Sequence, residues 1–284
     1  MADSEKTLKS SDVPGAIRLC DEAMEMAKGF GTNDTHLAKT EVMRAEIYLW
    51  EKKNDQAEEM FKLAVASCEK AIGSNSLEMV QPLSSLANYY CLGVPQNERI
   101  LPLYQRILDI VQANSNGDPH DVIMWSRNLG MVYQRMGYYA EGEPFFEQAV
   151  AVAEHTDAGW VPYELLNEAE FYRAWGKYEP AEVAARHALA VREEKLKTDN
   201  GMDAQMDVAV CLNNLGATYL AWSKPVQAEA VYRRSLARLQ SFMAPDQADL
   251  LPYLTGLAKA LNAEGKMEEA EVLNQRVLKI IGKR

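Results

Sequence analysis

Apolar residues recur along this chain at offsets of three, four and seven. The run Ala57-x3-Phe61-x2-Ala64-Val65 returns as Gly142-x3-Phe146-x2-Ala149-Val150 and as Ala228-x3-Tyr232-x2-Ser235-Leu236, with weaker copies opening at Ala16, Ile100, Ala181 and Ala270. Such offsets gather each set on one helical face, where a strand would alternate. The anchors at 16, 57, 100, 142, 181, 228 and 270 stand 41, 43, 42, 39, 47 and 42 residues apart, a period of about 42. Upstream of most anchors lies a second pattern, a large apolar residue, a small one and then an aromatic. Leu215-Gly216-x2-Tyr219, Leu129-Gly130-x2-Tyr133, Leu86-Ala87-x2-Tyr90 and Arg44-Ala45-x2-Tyr48 carry it, and Glu168-Ala169-x2-Tyr172 and Leu257-Ala258-x2-Leu261 are weaker forms. The small residue admits a neighbouring helix and the aromatic fills the space beyond it. Each repeat is thus two antiparallel helices, A then B, joined by short turns such as Trp175-Gly176-Lys177-Tyr178 and Glu264-Gly265-Lys266-Met267.

The pattern predicts an all-α chain of thirteen helices. A polar segment at 1–12 precedes an unpaired B helix at 13–28, and six pairs follow near 34–71, 76–113, 118–155, 160–197, 203–242 and 246–282, as one continuous array. Prolines agree with these limits, since proline is tolerated in a first turn and costs about 3 kcal/mol in a helix interior. Pro14, Pro180 and Pro225 begin B helices, Pro82, Pro162 and Pro252 begin A helices, and Pro102 and Pro144 sit near the first turn of B helices. Pro119 and Pro245 are placed in links between repeats and Pro95 in an A/B turn. The 47-residue gap predicts an enlarged loop over Leu196 to Asp207, around Asn200-Gly201.

Composition narrows the function classes. The longest apolar run is five residues, Ala149 to Ala153, where a membrane helix needs about twenty, and no signal-peptide core stands out. The formal charge is −11, and basic residues cluster only in pairs such as Lys52/Lys53 and Arg233/Arg234, which argues against nucleic acid as a partner. Cys20, Cys68, Cys91 and Cys211 match no metal or redox spacing, so reduced thiols and a cytoplasmic setting are expected. The Asn33-Asp34-Thr35 sequon matters only in a secretory compartment. His36, His120, His155 and His187 form no zinc-ligand set, and Gly29-Phe30-Gly31 reads as an interhelical link. The carboxylate pairs Glu58/Glu59, Glu193/Glu194 and Glu268/Glu269 are read as solubilising charges, and Trp50, Trp175 and Trp222 as packing on the A/B turns. No catalytic residue, cofactor or metal is assigned, so a non-enzyme is expected.

The repeated Leu-Gly-x2-Tyr and Ala-x3-Phe motifs resemble those of the tetratricopeptide repeat family over residues 13–282. The 42-residue period, with Leu212-Asn213-Asn214-Leu215-Gly216 and Ala188-Leu189-Ala190-Val191-Arg192-Glu193, is similar to the kinesin-light-chain variety. The resemblance implies a right-handed superhelical solenoid whose A helices line a concave peptide-binding groove. Family geometry then places in that groove Asn88; Met124, Arg127, Met131 and Gln134; Tyr163 and Arg173; and Asn213. Counterparts in the other turns of the pattern include Lys39, Val42, Gln81, Ser84, Leu220, Pro252, Thr255 and Lys259. Four bases against two acids in the whole set give the groove a sign opposite to that of the molecule. The family's chaperone clamp is missing, because Val42, Glu46 and Met131 occupy positions that it would fill with polar or basic groups.

The expected function is a non-enzymatic protein- or peptide-binding scaffold or adaptor for a mildly acidic ligand with apolar anchors, with Arg127 and Arg173 serving one central stretch. The alternative is a self-assembling structural module or a fragment of a larger regulator. Helix B of the last repeat, with Ala270, Leu273, Val277 and Ile280 at helical spacing, and the unpaired B helix at 13–28 are the terminal helices through one of which weak homo-association is expected.

Overall fold

The computed structural model describes residues 13–29, 34–93, 98–114, 118–157 and 159–282. Among them are thirteen α-helices, two 3-10 turns and no strand. In chain order the helices are α1 (Val13–Lys28), α2 (His36–Trp50), α3 (Asn54–Ile72), α4 (Val80–Gly93), α5 (Ile100–Ala113), α6 (Pro119–Met136) and α7 (Tyr139–Thr156). They continue as α8 (Val161–Trp175), α9 (Tyr178–Leu196), α10 (Met202–Ala221), α11 (Pro225–Leu239), α12 (Leu251–Ala263) and α13 (Met267–Ile281). The turns Leu77–Met79 and Ala248–Leu250 lead straight into α4 and α12. The 1–12 segment, Phe30, Gly31, Asn33 and Pro95 lie outside the described residues.

The chain forms two compact units, 1–138 with α1–α6 and 139–284 with α7–α13. Within each unit every helix packs on its predecessor. A helices also touch one another, α2 on α4 in the first unit, and α8 on α10 and α10 on α12 in the second. The motif residues supply this contact. Ala45, Ala87, Ala169 and the anchors Ala57, Ala181, Ala228 and Ala270 are fully buried, so backbones approach where side chains are smallest. In the second unit Phe146 of α7 stacks on Phe171 of α8 with centroids 4.5 Å apart.

The A/B turns need one residue in the left-handed region. Gly176 (φ 81°) and Gly265 (φ 80°) provide it freely, whereas Lys52 (φ 59°) and Ser223 (φ 57°) adopt it at a cost of about 1 kcal/mol. Trp175 lies nearly parallel to Tyr139 at 5.8 Å, with the Lys177 ammonium 3.4 Å from its ring centre. Trp222 repeats the arrangement with Tyr178 at 6.1 Å and Lys224 at 3.0 Å. Trp50 departs from expectation and is 65% exposed, because α1 offers no aromatic ring for it to stack on.

Three other expectations are revised. Pro119 opens α6 instead of lying in a link, with the Asp118 carboxylate accepting the His120 N–H at 3.0 Å as an N-cap. Pro144 lies a turn inside α7, further in than its fellows. The enlarged loop shrinks to residues 197–201, because its other residues extend α10 to twenty residues. That extra turn is held by Arg192 on Asp207 at 3.1 Å and by Arg238 donating to Gln205 at 2.9 Å.

The carboxylates do more than solubilise. Glu58 accepts from Tyr90 at 3.0 Å and from Arg99 at 3.2 Å, joining α3 to the next A helix and its turn. Glu182 receives Tyr219 at 2.7 Å in the same register, and Glu143 receives Lys177 at 3.2 Å. Glu193 accepts from Arg234, and Glu269 from Arg233 at 2.7 Å. Each exposed pair of this kind adds about 0–1 kcal/mol, so apolar burial supplies most of the stability and these contacts mainly fix register.

Candidate functional site: two clefts on the A helices

Each unit has an open cleft on its A-helix side. In the first unit Lys39 of α2, the Leu77–Met79 turn, Val80, Gln81 and Ser84 of α4, and Asp121, Met124 and Trp125 of α6 enclose about 520 Å³. Tyr104 of α5 backs Trp125 with ring centroids 5.7 Å apart. Further along the same helices Asn88 and Met131 are exposed, Arg127 and Gln134 are half-buried, and Arg135 donates to the Cys91 sulfur at 3.5 Å.

In the second unit Asn213, Ala217 and Leu220 of α10, Tyr232 of α11, and Leu251, Pro252, Thr255, Gly256 and Lys259 of α12 enclose about 510 Å³. Tyr232 is its floor. The ring reaches through from the B layer between two glycines: a Cβ on Gly216 would come within 2.7 Å of it, and one on Gly256 within 2.3 Å. Burial pushes the Tyr232 phenol up to about 12, opposed by the Arg173 guanidinium of α8. Arg173 itself buries one terminal nitrogen, Nη1, with no hydrogen-bond partner, and Asn214 Oδ1 of α10 is equally buried and unpaired. Both atoms stand without a partner among the described residues, and an unmet buried donor on a cation costs more than a made bond returns. Tyr163 stands 49% exposed near the start of α8.

The sequence therefore placed Asn88, Met124, Arg127, Met131 and Gln134 in the first unit, and Tyr163, Arg173 and Asn213 in the second. Only Met124 and Asn213 of these eight line the clefts, together with Lys39, Gln81, Ser84, Leu220, Pro252, Thr255 and Lys259 of the wider set. Val42 is buried instead, at 4% exposure. Tyr232 and Gly256 were missed. Tyr232 sits at the core position of a B helix, and the one signal for Gly256 is a glycine in a helix interior, which costs about 1 kcal/mol unless something needs the space. Glu78 and Asp121 were missed as well, and they make the lining of the first cleft net acidic.

Other chemistry is sparse. His36 pairs with Asp34 at 2.5 Å, His120 with its N-cap aspartate Asp118 at 2.6 Å, and His155 lies 2.7 Å from the Ala151 carbonyl. Burial raises the thiols of Cys20, to about 11, and of Cys211, to about 12. Among the described residues no three His, Cys, Asp or Glu side chains converge as metal ligands, and no helix is long and apolar enough to cross a membrane.

Residues 121–194 match the tetratricopeptide repeat family. No curated protein matches by sequence. Among solved structures the chain is similar to BtubC (BKLC) from P. vanneervenii, at 21% identity and a TM-score of 0.59, covering 87% of this chain and 91% of that one. It is also similar to the nearly identical TPR-like repeats of a candidate kinesin light chain from Podosopora anserina, at 20% identity and a TM-score of 0.58, covering 73% and 97%. A signal transduction ATPase with a tetratricopeptide repeat sensor from Pyrococcus horikoshii aligns at 17% identity and a TM-score of 0.68, covering 99% of this chain and 41% of its own. Residues 121–194 thus match tetratricopeptide repeats, and the helix pairs of the described chain share the fold of these repeat structures.

Proposed function

We propose that the chain is a non-enzymatic scaffold that binds protein partners through the A-helix faces, and that the cleft of the second unit takes an extended, mildly acidic peptide with apolar anchors. The observation that carries this reading is the lining of that cleft, an apolar bed over the Tyr232 ring with the Arg173 guanidinium close enough to act on that phenol. Lys259 adds a second base, and no acid lines that cleft among the described residues. Leu220, Pro252 and the Tyr232 ring give the anchors an apolar bed, while Asn213 and Thr255 offer hydrogen bonds to peptide backbone. Arg127, Met131, Gln134 and Asn88 extend the working face of the first unit, whose more acidic lining favours a different stretch of partner.

Peptides selected by display on the intact chain test this. Acidic peptides with apolar anchors are expected to dominate, and Arg173→Glu is expected to weaken them at least tenfold, about 1.4 kcal/mol, with unchanged circular dichroism. Selected peptides that bind the variant as tightly as the parent place the working surface elsewhere.

A further inference from the structure

The face of α13 foreseen for association, Ala270 with Ile280, is turned inward and buried. A surface with a definable ligand lies instead in the first cleft, and it rests on the reading that the A-helix faces are the working side. Asp121, Met124 and Trp125 stand at offsets of three and four in the first turns of α6, so they share one helix face, and all three line the cleft. Tyr104 of α5 backs the Trp125 ring at 5.7 Å between centroids, which fixes it as a wall. Leu77 and Val80 bring further apolar surface to the same space of about 520 Å³.

Three charged residues enter this cleft, Lys39, Glu78 and Asp121. Lys39 and Glu78 are neighbours, since both also line a smaller hollow between α2 and α4 with Val42 and Cys68. Burial raises the Cys68 thiol, and Glu78 adds to that rise while Lys39 opposes it, so each acts on the same sulfur. Their charges offset each other on that side. Asp121 stands apart on α6 with no ion-pair partner among the described residues, and His120 beside it in sequence is already paired with Asp118 at 2.6 Å. The uncompensated charge of the cleft is therefore the Asp121 carboxylate, on the same helix face as the tryptophan.

An apolar wall that ends in one carboxylate suits a long cationic side chain, whose methylene stem lies along Met124 and the indole while its charge meets Asp121. A purely apolar ligand would cover Asp121 without giving it a partner, which is costly, and an acidic one would meet two carboxylates for one lysine. Gln81 and Ser84 of α4 offer hydrogen bonds to backbone on either side of the anchor. We propose that the first cleft binds a peptide segment through one arginine or lysine side chain, seated at Asp121 and Trp125.

Fluorine NMR of the whole chain, with its five tryptophans replaced by 5-fluorotryptophan and the Trp125 line assigned by Trp125→Phe, tests the proposal. The probes are three capped peptides, Ala-Leu-Arg-Leu-Ala and its counterparts with Gln or Glu in place of Arg. The arginine peptide should shift the Trp125 line saturably, and the other two should bind at least about tenfold more weakly. Asp121→Asn should weaken the arginine peptide at least about fivefold and Lys39→Gln should not weaken it, with circular dichroism unchanged in both. Three results would overturn the proposal: no saturable shift of the Trp125 line, a glutamine or glutamate peptide within tenfold of the arginine one, or a smaller loss than fivefold in Asp121→Asn. The peptide comparison needs no variant, so it stands even if a substitution disturbs the fold. Selection of acidic peptides at the second cleft uses neither Asp121 nor Trp125, so the two readings fail separately.

Discussion

The clefts of the first and second units enclose nearly equal space, about 520 and 510 Å³, on the same side of the same kind of helix pair. Lys39 is outnumbered by Glu78 and Asp121 in one, whereas Lys259 meets no acid in the other, where Arg173 adds a second base nearby. The floors differ in the same way. Trp125 comes from an A helix and lines its own cleft, while Tyr232 comes from the B layer and reaches through a gap that two glycines leave open. The clefts are alike in size, and Glu78 and Asp121 in one and Lys259 in the other give them opposite sign. A single net charge for the whole groove therefore conceals two surfaces of opposite character.

The contrast in floors breaks with the largest effect. Tyr232→Ala should cost about 3–4 kcal/mol in urea unfolding, as for other buried rings. Gly256→Ala should cost about 1–3 kcal/mol, because its Cβ would overlap the ring and neither helix can retreat without losing contacts. Since Ala87 already carries a Cβ at the helix contact of the first unit, Ala87→Gly should cost only the lost helix propensity, about 1 kcal/mol.

A second contrast concerns Glu168, which stands where Leu86, Leu129, Leu215 and Leu257 stand in other repeats. Burial, aided by Glu147, Glu154 and Glu143, raises its carboxyl to about 7. The folded state then holds a proton that the unfolded chain releases near the ordinary value of 4.5. Its contribution to stability is full below that value and is lost as pH rises to about 7. Glu168→Gln should accordingly stabilise the protein by about 1–2 kcal/mol at pH 8, little at pH 4, and flatten the unfolding profile between them.

The helix pairs were legible because their cause is periodic. Ala57, Gly142 and Ala228 recur with an aromatic four places on, and burial of that face repeats with them. On α4 and α12 the side that lines a cleft was legible as well, since Gln81, Ser84, Thr255 and Lys259 keep phase with the motif, whereas Val42 of α2 is buried. What escaped is what the period does not carry. Glu78 and Asp121 enter the first cleft from a 3-10 turn and a first helical turn, outside the four offsets that define the groove. The link after α9 was overestimated because helix propensity through Met202 to Met206 was outweighed by the turn signal of Asn200-Gly201, and the Arg238 contact that holds this turn comes from far along the chain.

The sign contrast is sharpened by reversing one base at a time. Lys259→Glu should weaken an acidic peptide about tenfold at the second cleft, and Lys39→Glu should leave it unchanged. The thiols give the smallest effect. Cys91 is half-buried beside Arg135, whereas Cys20, Cys68 and Cys211 are buried with raised pKa values, so a disulfide reagent at pH 8 should titrate one thiol quickly and three only on unfolding.

The most direct measurement is photocrosslinking from the two sides of the second unit to a selected acidic peptide. A benzophenone side chain at Thr255, in the cleft of α12, should crosslink in proportion to occupancy and lose the signal in Arg173→Glu. The same probe at Val226, exposed on α11, should give none. Crosslinks from Val226 with Thr255 silent would contradict the claim that the A-helix face binds the partner.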